Sequence, residues 1–228
     1  MTRSNDYGFE LGYNGRVQDA GAANVYLRDT PSEYPSIGVT EHGSLIRLTL
    51  TEPGPVNSLS SVVTTAARDA VSLSMVMPVA NLRIWQTGGM VGETSFCGAA
   101  VVDWDPTNGT AHAVQAGPVS VWVQTDGSWL PMFDSDFLNE AAFEHVPAEG
   151  LSWTDLVQAL TERHHWATCP VGRFEKSITR NASAFNVEGV ALFTSTVDPA
   201  GQVLGRFPDW FSGQPVAGVA SVLALPRG

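Results

Sequence analysis

The apolar positions of this chain repeat with two different periods, and the changes of period divide it into elements. From residue 94 to 133 the period is two. "SFCGAAVVDWD" reads as a strand, "DPTNG" as a turn and "TAHAVQAG" as the returning strand. "SVWVQT" and "WLPMF" then pair across Asp126-Gly127, because glycine tolerates the positive φ that a tight hairpin turn requires. The pattern predicts an antiparallel meander over 95–133. At its centre "QAGPVS" crosses a Gly-Pro pair and offers no acid, base or metal ligand.

Elsewhere the spacing is three and four. Leu59, Val62, Val63, Ala66, Ala70, Leu73 and Met77 fall on one stripe of a helix over 58–77. "EPGPVNS" punctuates before it, Ser58 or Ser60 caps it, and Pro78 supplies the stop. A second helix is predicted over 152–166, with Ser152 and Asp155 in a capping-box-like start and Trp153, Leu156, Val157 and Leu160 on its apolar face. Strands account for the rest. "YGFELGYNGRVQDAGAANVYL" gives a strand, a turn and a second strand at 24–27, and "SIGVTEHGSLIRLTL" gives two apolar runs around "EHG". "GVALFTSTV" and "VAGVASVLALP" return to strands near the end. Such an order predicts one α+β domain over 1–228, with two antiparallel sheets packed face to face and helices outside.

At 228 residues and 43% hydrophobic, the chain has the make-up of a globular domain with a sizeable core. A net charge of −11 argues against duplex nucleic acid and anionic membranes and favours solubility or a basic partner. No apolar run reaches the length of a membrane span and "MTRSNDYGFE" has no signal-peptide core, so the expected location is the cytoplasm. Cys97 and Cys169 cannot build a disulfide framework.

Ligand-type side chains are densest in "ERHHWATC", where His165 and Cys169 lie four apart and could share a helix face as two zinc ligands. Two further ligands would be needed, and the plainer reading packs His164 inward and buries the Cys169 thiol. A nucleophilic Cys169 is disfavoured by its place after a helix C-terminus. Glu41-His42 in "TEHGS" sets an acid beside an imidazole, which could serve as a general base or a single metal site, the plainer reading being a solvated turn. "DWDPTNG" and "FDSDFLNE" lack the spacing of calcium loops. In "GRFPDWFSG", Phe207, Trp210 and Phe211 crowd a Pro-Gly-rich stretch and are candidates for an exposed partner-binding patch.

The order of elements and several strings resemble the metal-dependent serine/threonine phosphatases of the PP2C type. The family's D-G-x-G-G turn falls on "IGVTEHGS" and the helix following it on 58–77; its V-G-D-S-R-x-Y strand falls on Ala116, Gly117, Pro118, Val119, Ser120, Val121 and Trp122. Its late S-D-G falls on Ser195-Thr196-Val197 and its closing D-N on Gly218-Val219. The resemblance implies an αββα sandwich in which aspartates hold two manganese or magnesium ions and a metal-bound water attacks the phosphate. Here Thr40 or Glu41 stands for the first aspartate and Pro118 for the central one. Thr, Pro, Val and Gly cannot supply the carboxylate oxygens that hard divalent ions need.

The expectation is therefore a non-catalytic PP2C-like domain that binds a protein partner, with no cofactor and with Thr40, Glu41, His42, Gly117 and Pro118 marking a degenerate site. One alternative is a divergent metal-dependent phosphatase or hydrolase using Asp19, Glu41 and Asp198 with manganese or magnesium. Another is a structural or assembly protein, for example of a viral particle.

Overall fold

The computed structural model describes residues 15–28, 37–51, 58–91, 98–117, 119–133, 171–172, 179–194 and 221–227. In chain order these form β1 (Gly15–Ala20), β2 (Ala23–Arg28), β3 (Ile37–His42), β4 (Leu45–Thr51), α1 (Ser58–Asp69) and α2 (Leu73–Val91). There follow β5 (Ala99–Asp105), β6 (Thr110–Ala116), β7 (Val119–Thr125), β8 (Ser128–Pro131), β9 (Arg180–Phe185), β10 (Gly189–Thr194) and β11 (Ser221–Pro226).

Period-two alternation gives each strand one face for a common core. Val25, Leu27, Val121, Leu192 and Val222 point inward from one antiparallel sheet, ordered β1-β2-β11-β10-β7-β8. Leu48, Leu50, Val102 and Trp104 meet them from the other, ordered β3-β4-β5-β6-β9. Both described helices lie on the outer face of the five-stranded sheet, where Val63, Ala66, Met77, Ala80 and Ile84 pack on Ala99, Val101 and Val114. The α+β sandwich expected from the pattern is the observed architecture. The predicted helix over 152–166 lies outside the described residues.

Two features of the pattern resolve differently. The stripe over 58–77 is two helices, and Pro78 lies inside α2 instead of ending it. Proline removes one backbone hydrogen bond, but continuing the helix buries Ala80 and Ile84 against the sheet. The break falls at residues 70–72, where the Ala70 amide closes α1 on the Ala66 carbonyl and Ser72 accepts from the Met75 amide. The expected meander over 95–133 is also divided. The β5–β6 hairpin belongs to one sheet and the β7–β8 hairpin to the other, so the chain changes sheets at Gly117-Pro118. Strand β9, "RNASAF", alternates only small and polar residues with one terminal Phe and gave no apolar run to read.

A buried ion pair fastens α1 to its sheet. Arg47 on β4 and Asp103 on β5 are cross-strand partners facing the helices. The Arg47 Nε donates to Asp103 Oδ1 at 2.6 Å and its Nη2 to Oδ2 at 2.8 Å. Its Nη1 donates to the Ala67 and Ala70 carbonyls at 2.8 and 2.6 Å. One guanidinium thus neutralises a buried carboxylate and satisfies two carbonyls at the negative end of a helix.

At the far end of β5, burial pushes the Asp105 carboxyl up, but the Ser44 hydroxyl at 2.9 Å and the Thr107 and Asn108 amides outweigh it and hold it below the ordinary 3.8. A depressed folded pKa contributes stability above the unfolded value that is lost as pH falls through the folded one. Ser44→Ala is expected to move the Asp105 titration upward, toward the ordinary carboxylate value. Carbon-detected NMR of the carboxyl checks this, and an unchanged titration would remove Ser44 as a cause.

Candidate functional site

Gly117 and Pro118 are all that separates β6 in one sheet from β7 in the other, so both sheets must present the adjoining strand ends at one end of the sandwich. Register identifies the neighbours. Thr51, Ala99 and Ala116 stand side by side across β4, β5 and β6. In the other sheet Arg28 pairs with Ser221, Ser221 with Phe193, Phe193 with Ser120, and Thr194 with Val119. The last residues of β4, β6 and β10 and the first of β5, β7 and β11 therefore gather around the crossover. The segment 195–220 leaves and re-enters the fold at this same end.

The crossover itself is tightly held. Gly117 has φ +73°, a conformation that disfavours any side chain. The Val119 amide donates to the Gly117 carbonyl at 2.9 Å, closing a three-residue turn. Gln115 points between the sheets at 4% exposure, and its Nε2 donates to the Gly117 and Val119 carbonyls at 3.2 and 2.6 Å. Among the described residues neither Gln115 Oε1 nor the fully buried Ser221 hydroxyl has a hydrogen-bond partner.

The degenerate site expected from the sequence is not one site. Gly117 belongs to the crossover, and Pro118 lies outside the described residues. Thr40, Glu41 and His42 end β3 at the opposite end, in the hairpin that turns at Gly43-Ser44. Glu41 pairs with Ile46, five residues before Thr51 along β4, or roughly 17 Å away at strand spacing. A side chain on Gly21, in the β1–β2 turn, would lie 3.5 Å from Glu41 Oε2, which fixes that carboxylate beside the opposite hairpins. Asp19 is at that end too, paired with Arg227 at 3.1 Å. The set Asp19, Glu41 and Asp198 is corrected accordingly: its first two members lie far from the end of β10, and Asp198 is outside the described residues.

The misplacement has a physical origin. The resemblance calls for a strand, a turn and then a helix, and both "TEHGS" and "TEPGP" offer an acid followed by glycine. In the fold "TEHGS" closes a hairpin, and it is β4 that runs through residues 52–57 into α1. Thr51 therefore ends the strand that precedes the helix, and Glu52 follows it in the sequence. The signal available in the sequence was the direct adjacency of "EPGPVNS" to the helical stripe.

For two divalent metal ions the described donors at this end do not fit. Thr51, Ala99, Ala116, Gly117, Val119, Ser120 and Ser221 supply no carboxylate, imidazole or thiol, and the Gly117 and Val119 carbonyls already accept from Gln115. No three His, Cys, Asp or Glu side chains come together among the described residues. In the adjoining segments the sequence places Glu52 directly after β4 and Asp198 four residues after β10. His165, Cys169, Phe207, Trp210 and Phe211 lie outside the described residues. No described helix is long and apolar enough to cross a membrane.

By sequence the chain matches no protein-family model and no curated protein. By structure it is similar to PppA, a key regulatory component of the T6SS in Pseudomonas aeruginosa, at 13% identity and TM-score 0.53, over 90% of this chain and 97% of that one. It is similar to RsbX in complex with magnesium at 6% identity and TM-score 0.56, over 93% and 100% of the two chains. The serine/threonine phosphatase Stp1 from Staphylococcus aureus matches at 11% identity and TM-score 0.54, over 96% and 100%. The fold is PP2C-like.

Proposed function

We propose that this PP2C-like domain is non-catalytic and acts as a regulatory module that holds a protein partner. The observation that carries the reading is the crossover end of the sandwich, whose described strand ends bear Thr, Ala, Gly, Val and Ser and no carboxylate. Two divalent ions bring four positive charges, and hard cations need several anionic oxygens to offset them. A regulatory structural neighbour, PppA, supports the reading at the level of fold. The net charge of −11 favours a partner with a basic surface. Phe207, Trp210 and Phe211, in the segment that leaves and re-enters at this end, are the aromatic residues proposed to touch it.

A second reading, a divergent metal-dependent phosphatase, is favoured by Glu52, the one acid that the chain order places directly on the strand-to-helix turn. Calorimetric titration of chelator-stripped protein with manganese and magnesium, with phosphate-ester hydrolysis followed on the same sample, separates the two. The expected result is no two-ion binding and no metal-dependent turnover. Two bound ions with turnover, both abolished by Glu52→Ala, would replace the first reading with the second.

A further inference from the structure

Helix α2 is apolar on both of its faces. Val76, Met77, Ala80 and Ile84 face the sheet and are buried. On the other side Met75, Leu82 and Trp85 are 52%, 49% and 42% exposed, and Val71, just before the helix, is fully so. With the exposed Pro78 these residues fall at 71, 75, 78, 82 and 85. Steps of four, three, four and three residues are the spacing with which one helix seats against another. Among the described residues the other exposed large apolar side chains, Val17, Leu130 and Phe185, sit singly on the strands β1, β8 and β9 and make no stripe.

We infer that α2 is a self-association seam, packing across a two-fold axis against α2 of a second copy of this chain. The spacing suits a second helix, and charge argues for a copy of this one. Between residues 58 and 91 the charged residues are Arg68, Asp69 and Arg83, a net of +1. The whole chain carries −11, so the remainder carries −12. Association through an acidic face would bring like charges together, whereas this helix pair carries a net of only +1 per copy, and it offers a basic partner helix no attraction. Area is adequate as well. The four measured side chains leave roughly 400–500 Å² of apolar surface in water, the size of the largest patch a monomer ordinarily carries. Two copies bury about twice that, and Ser72, Ser74 and Gln86, exposed beside the stripe, extend the contact toward the ~1,200 Å² at which standard stable interfaces begin. Trp85 is the anchor type that dominates such contacts. The inference is independent of whether the crossover end holds metals.

Sedimentation of the full chain in reducing buffer at tens of micromolar tests it. The wild type is expected at twice the 24.3 kDa monomer mass. Leu82→Glu, at a solvent-facing position, is expected to weaken association at least ~30-fold while leaving the circular dichroism spectrum and thermal melt unchanged. Leu130→Glu, equally exposed but on β8, is expected to remain dimeric. A monomeric wild type would overturn the inference. A dimer unaffected by Leu82→Glu would overturn it as well.

Discussion

Arg47→Met is expected to cost about 3–5 kcal/mol in urea unfolding, a large share of the 5–15 kcal/mol that holds a domain together. The side chain it replaces is 3% exposed and engages both oxygens of Asp103 as well as two carbonyls at the end of α1. Removing it leaves a carboxylate buried beside two unsatisfied carbonyls, all facing a helix layer that excludes water. The attraction between the charges is the smaller part of this. Buried pairs roughly break even against apolar residues of the same volume, so Arg47→Met combined with Asp103→Leu is expected to recover most of the loss. What the double variant does not recover is the satisfaction of the Ala67 and Ala70 carbonyls, which should appear as faster amide exchange in the last turn of α1. A single variant within about 1 kcal/mol of wild type would mean that water reaches Asp103 and the clamp does not exist.

Gln115→Glu is expected to destabilise the fold by roughly 3 kcal/mol or more at neutral pH, although it changes one NH₂ to an oxygen. The amide nitrogen donates to two backbone carbonyls inside the sandwich, and a carboxylate there would put negative charge against both acceptors. The sign of the pH dependence follows. The new carboxyl is favoured in its neutral, donating form, so its folded pKa lies above the unfolded value of about 4.3. A raised folded pKa means stability that is fully present below the unfolded value and lost as pH rises through the folded one. The variant should therefore approach wild-type stability near pH 4 and weaken progressively above it. Gln115→Leu, which loses the donor without adding charge, is expected to cost about 1–3 kcal/mol with no such slope. Chemical denaturation over a pH series distinguishes them, and parallel profiles for the two variants would show that the site is wet.

The elements that were legible in the sequence were those whose signal is local. Alternation in "AAVVDWD" and "TAHAVQAG" and the Asp126-Gly127 turn gave two hairpins, because a period of two and a positive φ are settled within a few residues. Pro78 misled because the burial of Ala80 and Ile84 against the sheet is a tertiary effect that outweighs one missing hydrogen bond. The meander failed at Gly117-Pro118 for a related reason: alternation fixes which face is buried, and says nothing about which sheet a strand joins. Arg47 in "LIRLTL" reads as an outward residue until β5 brings Asp103 beside it. Gln115 in "HAVQAG" is unremarkable until the crossover turns two carbonyls toward it. For the candidate site, the first turn was misplaced, since two acid-glycine strings competed and only strand pairing decides which of them precedes the helix.

The position of β11 in its sheet also bears on how the chain is made. β1 and β2 leave the ribosome before the other described elements, yet among the described strands they are joined to the rest of their sheet only through β11, pairing residues 23–28 with 221–226. Until that strand emerges the β1–β2 hairpin has no sheet to enter, and the inward side chains Val25 and Leu27 lack their cross-strand neighbours Ala224 and Val222. The five-stranded sheet can begin sooner, because β3 to β6 are paired in sequence order. Between the emergence of β6 and that of β11 the nascent chain thus holds an incomplete sandwich with apolar surface exposed, a state suited to capture by a chaperone and hazardous without one.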